Sequence, residues 1–158
     1  MSGVKDKEKI TRTLFSPMMI KEGKLQKAAF PVDELLAKGN KDGCSVDRYD
    51  LLVNPDKLLY KKACKFANPP KDRNVYGFSL TSTKQIREIK DQNSSDQVFE
   101  VYPDPDDIKK QPPDPWDHAH ALIRACQDTY SEQKLRGLRR YLIRLFEKNI
   151  HKFKDHRE

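Results

Sequence analysis

The residues most able to do chemistry lie in one short run, Asp114-Pro115-Trp116-Asp117-His118-Ala119-His120. If that run is extended, His118 and His120 project to the same side, because side chains alternate along a strand. Asp114 or Asp117 could then steer an imidazole nitrogen, which gives a general base or a proton shuttle. A metal centre asks for more. A tetrahedral zinc site takes three or four ligands, and the two other histidines, His151 and His156, fall in the C-terminal tail. No metal and no cofactor are therefore expected, and the commonest role of such a pair is structural, at a strand edge.

A second locus is Asp47-Arg48-Tyr49, which follows Ser45-Val46 in a predicted strand. These side chains are expected at the surface unless neighbouring strands bring His118 or His120 beside them. In that case His118, His120 and Arg48 are the catalytic candidates, with Asp47 and Tyr49 close by. Other familiar sites are missing. The chain has no phosphate-binding glycine loop, dinucleotide fingerprint, GxSxG elbow or HExxH pair, and its six glycines are not grouped.

The third lead is charge. The chain carries a formal +7, and residues 130–158 hold nine Lys or Arg against four acids. In the same segment Leu135, Leu138, Leu142 and Leu145 recur three and four apart, with Phe146 and Phe153 continuing the pattern. This spacing predicts a long amphipathic helix over 131–154, glued down by its leucines. Arg136, Arg139, Arg140, Arg144 and Lys148 fall mostly outside the stripe. A solvated face is the ordinary fate of such charges, and contact with nucleic-acid phosphates or an acidic protein is the functional one. The helix has no Trp to favour a membrane surface.

These residues need elements to hold them. Residues 1–13 are polar with no period and are expected to be a flexible N-terminus, as are 155–158 at the other end. A single domain is expected over 14–154. Ala28–Val32, Ser45–Val53, Val75–Leu80, Gln97–Tyr102 and His118–Ile123 are rich in strand formers. Asn54-Pro55-Asp56 reads as a helix start that runs to Pro69-Pro70, and Ser82 and Gln85 are spaced as a capping box before a short helix. Five prolines between Pro103 and Pro115 predict an extended connection over 103–117 without helix or central strand. The sum is an α+β fold with about four or five short strands, two or three helices and the basic C-terminal helix.

Composition sets the outer limits. Hydrophobic residues make up 36% and charged residues 35%, so apolar side chains must be concentrated for one core to form. No run approaches the roughly 20 apolar residues that cross a bilayer. Charges crowd the N-terminus where a signal peptide is apolar. Cys44, Cys64 and Cys126 are odd in number and widely separated, as reduced thiols of a cytoplasmic protein would be.

The run Lys24 to Phe30, followed by CSVDR at 44–48 and HAHALI at 118–123, resembles a group of uncharacterised bacterial proteins with an AF…SVDR…HALI pattern. The resemblance spans Leu14 to Ile123. It implies a bacterial origin and one domain there, brings no activity, and leaves the basic helix outside. Three functions are compatible with these residues: a non-enzymatic module binding nucleic acid or an acidic partner, a small hydrolase or transferase, and a structural or inhibitory subunit of a bacterial complex.

Overall fold

The computed structural model describes residues 3–67 and 73–154. Strand β1 (Lys9–Pro17) is followed by a small hairpin, β2 (Ile20–Lys21) and β3 (Lys24–Leu25), and by the one-turn helix α1 (Val32–Leu35). Next come β4 (Cys44–Arg48), helix α2 (Pro55–Ala67), β5 (Arg73–Ser82) and α3 (Thr83–Arg87). The chain closes with β6 (Phe99–Pro103), α4 (Pro105–Lys109), β7 (His120–Ala125), α5 (Glu132–Glu147) and β8 (Ile150–Lys152). Six strands form one antiparallel sheet in the order β6-β7-β4-β1-β5-β8. The expected α+β domain with a long basic C-terminal helix is thus what the chain adopts.

Alternation along the strands sorts the two faces of the sheet. Ile10, Leu14, Cys44, Val46, Ala121 and Ile123 are buried in the main core together with Leu135, Leu142 and Phe146 of α5. Helices α1, α3 and α5 pack on that face, and Phe30 meets Phe146 with ring centroids 5.0 Å apart. The opposite face carries Thr11, Asp47 and His120 at matching register positions. Helix α2 covers it, and Leu59 joins Leu52, Phe78, Trp116 and Ala119 in a smaller apolar cluster.

Several boundaries differ from those the sequence predicts. Regular structure starts at Lys9 within the stretch expected to be flexible, and β1 lies inside the sheet between β4 and β5. Its polar residues conceal this. Thr11 is fully buried, and Arg12 is buried by donating to the carbonyls of Ala29 (3.0 Å) and Ser45 (2.5 Å). Ala28–Val32 is no strand; a 3-10 turn at Lys27–Ala29 leads into α1, with Pro31 in extended geometry at the helix N-cap and Asp33 and Glu34 in its first turn.

The proline-rich connection does contain a helix. Asp104 caps α4 by accepting from the amides of Asp106 and Asp107, and Pro105 occupies the first turn, where a missing amide costs nothing. The basic helix stops at Glu147, well short of 154, and β8 then pairs with β5 at the sheet edge. Gly77 permits that pairing, since a Cβ there would stand 2.0 Å from the carbonyl oxygen of His151. The predicted capping residue Ser82 does accept from the Gln85 amide. The helix stop at Pro69-Pro70 and the C-terminal residues 155–158 lie outside the described residues. Among the described residues no helix is long and apolar enough to cross a membrane.

Candidate functional site

Antiparallel pairing of β4 with β7 sets Asp47 directly opposite His120. Both side chains line a cavity of about 500 Å³ on the α2 face, bounded by Lys62, Asp107, Lys110 and Trp116. The cavity forms where β1 and β4 separate. They pair only at Ile10 with Arg48 and Thr11 with Asp47, and beyond that the Arg12 guanidinium bridges to Ser45.

His120 is the chemically richest group in the cavity. It is 8% exposed, and its Nδ1 lies 2.8 Å from Oδ2 of Asp104 and 2.8 Å from Oδ2 of Asp107. The α4 cap positions the first of these carboxylates: Oδ1 of Asp104 is held by two backbone amides, which leaves Oδ2 aimed at the imidazole. Asp47 accepts from Nζ of Lys62 at 2.7 Å, both side chains being largely buried. Carboxylates that fix one ring nitrogen of a histidine set its tautomer and leave the other nitrogen for chemistry.

The other predicted residues do not join this group. His118 is exposed, with Nε2 2.9 Å from the Leu51 carbonyl oxygen. It belongs to a 3-10 turn, Asp117–Ala119, so the alternation expected of an extended run fails and the two histidines part. Arg48 is clamped by both oxygens of Glu8 at 2.8 and 3.0 Å, fastening the N-terminal segment to β4. Burial of the Glu8 carboxyl opposes its ionisation, and the Arg48 contact outweighs this to hold its pKa below the usual value. Tyr49 donates its hydroxyl to Asp56 at 3.0 Å, and burial with that bond raises its pKa.

Asp114 accepts from Lys65 at 2.8 Å and from Lys110 at 3.0 Å, and these ammonium groups hold its carboxyl below the ordinary range. Asp117 is buried and accepts the Asp114 amide at 2.6 Å. The acids predicted to serve the histidines are therefore engaged elsewhere, and Asp104 and Asp107 stand in their place. Their sequence signal is the Asp-Pro-Asp-Asp helix start at 104–107, which is a positional cue and not a chemical one.

The second candidate is the outer face of α5. Arg136, Arg140, Arg144 and Lys148 follow one another at intervals of four, and all four are exposed. At 1.5 Å per residue they form a row about 18 Å long. Arg136 lies 3.4 Å from Glu132, while among the described residues Arg140, Arg144 and Lys148 have no carboxylate within ion-pair distance. The guanidinium groups of Arg140 and Arg144 flank the Tyr141 ring at 5.0 and 5.9 Å.

Beside the row, Tyr141, Arg144 and Lys148 line a depression of about 510 Å³ with Gln85, Glu88, Lys90 and Gln92. Arg139 is not part of this surface. It is 8% exposed and donates to the Phe30 carbonyl at 3.3 Å, and burial, assisted by nearby Arg136, lowers its pKa. One helical step of 100° separates it from Arg140, enough to turn it into the core.

No family model matches the chain, and no curated protein and no solved structure does either.

Proposed function

We propose that the protein is a binding module for nucleic acid, engaging phosphates through the row Arg136, Arg140, Arg144 and Lys148. The observation that supports it is that this row is exposed and nearly free of internal carboxylate partners, while the leucines of the same helix anchor it to the sheet. Surface ion pairs with proteins gain little, whereas a row of cations on a polyanion gains by releasing condensed counterions. Anisotropy of a labelled, unselected RNA or DNA fragment at low salt tests it. Reversing all four charges to Glu abolishes binding; binding that persists rejects the assignment, and binding of an acidic polypeptide in preference to either fragment moves it to a protein partner.

A second reading, a small hydrolase or transferase, is favoured by one observation: Asp47 and His120 share a cavity across neighbouring strands. Here His120 is the base and Asp104 the group that orients it. Turnover of ester or phosphoester substrates that is lost in His120→Gln supports it, and turnover unchanged in that variant discards it.

A further inference from the structure

Two carboxylate oxygens converge on a single nitrogen at His120. Nδ1 carries at most one hydrogen, yet Oδ2 of Asp104 and Oδ2 of Asp107 both stand 2.8 Å from it. One of the two acids is thus left without a donor in the pair. The charge is unbalanced as well. Even a protonated imidazole brings +1 against two negative carboxylates, and among the described residues no Lys or Arg comes within 4.0 Å of either acid. The ammonium groups lining the same cavity are committed elsewhere: Lys110 to Asp114 at 3.0 Å and Asp117 at 3.6 Å, and Lys62 to Asp47 at 2.7 Å.

Asp104 takes the imidazole and two backbone amides, so the acid left over is Asp107, a half-buried carboxylate beside a second one and, among the described residues, with no ammonium or guanidinium group on it. A divalent ion balances that charge. The three ligand atoms lie within 4.8 Å of one another, close enough to surround one ion after small side-chain rotations. Asp104 is already oriented, since the Asp106 and Asp107 amides fix its other oxygen. The cavity supplies room for water or substrate in the remaining positions, as an open catalytic or exchange site needs.

We infer that Asp104, Asp107 and His120 form a binding site for one borderline divalent cation of the Mn²⁺, Fe²⁺, Co²⁺ or Zn²⁺ class. One imidazole with two carboxylates suits these ions better than Ca²⁺, which takes six to eight oxygens, or Cu⁺, which prefers sulfur. The site is independent of the nucleic-acid surface on α5. The sequence alone pointed away from it, because the other two histidines lie in the C-terminal tail; the carboxylate ligands instead stand 13 and 16 residues before His120, in the proline-rich segment.

Co²⁺ added to the full-length protein tests the site, with visible absorption and calorimetry as readouts. One equivalent binds and a d–d band appears. Asp107→Asn, at an acid whose side chain is 36% exposed and so tolerant of change, weakens binding at least tenfold without lowering the thermal midpoint of the metal-free protein. Asp114→Asn, at the neighbouring acid held by lysines, leaves affinity as it was. Failure of Co²⁺ to saturate at millimolar concentration, equal affinity in Asp107→Asn, or an equal loss in Asp114→Asn would each overturn the assignment.

Discussion

Asp47 and His120 face each other across β4 and β7, yet each draws its partners from outside the sheet: Lys62 on α2 for Asp47, and the α4 acids for His120. Both side chains line one cavity, where Asp47 is paired with an ammonium group and His120 with two carboxylates. Helix α5 packs on the other face of the sheet, so the two candidate surfaces can be perturbed separately.

Binding along α5 carries a defined salt dependence. If four phosphates are contacted, affinity for duplex DNA falls about 100-fold between 50 and 200 mM salt, and Arg144→Gln reduces the log–log slope by about one. Anisotropy titrations across that range measure both, and a flat salt response would exclude phosphate contact.

Acid stability reports on the loop that packs against the start of α5. Lys134 bonds to Asp91 at 2.7 Å, and this bond, with help from the Asn93 amide, lowers the Asp91 pKa in the folded state. A lowered folded value means the contribution is complete above the unfolded carboxylate value of about 3.9 and is lost as pH falls through the folded one. Lys134→Met is accordingly less stable than the parent at pH 7, and the gap closes toward about pH 2. Urea midpoints at the two pH values read this out; a gap that stays constant with pH points to lost packing of the lysine stem instead.

The β8 edge depends on a missing side chain. A Cβ at residue 77 would lie 2.0 Å from the His151 oxygen and 2.9 Å from its carbonyl carbon, both backbone atoms that cannot swing aside. Gly77→Ala costs about 1–3 kcal/mol, the range for forced overpacking. It also speeds exchange of the Phe153 amide, which donates to the Tyr76 carbonyl at 3.1 Å. Unchanged protection at Phe153 would show that β8 adjusts without leaving β5.

The three thiols separate by environment. Cys44 is fully buried, and burial pushes its pKa up to about 12, whereas Cys64 and Cys126 are exposed. Since the thiolate is the nucleophile, a disulfide reagent at pH 8 titrates two thiols in the native protein and three after denaturation. Cys126 reacts more slowly than a free thiol because partial burial raises its pKa. Three fast native thiols would contradict the packing of β4.

Elements whose signals are local were legible in the residues alone. The leucine period marks α5, Asn54-Pro55 marks the start of α2, and the Ser82 and Gln85 spacing marks α3, because helix-start signals and helical stripes act within a few residues. Features that depend on distant partners emerge only in the folded chain. Burial of Thr11 and Arg12 makes β1 an interior strand, and a 3-10 turn parts His118 from His120. Register across β4 and β7 brings Asp47 to His120, while the α4 cap brings Asp104 and Asp107. A polar residue carries no mark of whether its hydrogen bonds go to water or to a chain segment far away, and that difference chose which residues meet in the cavity.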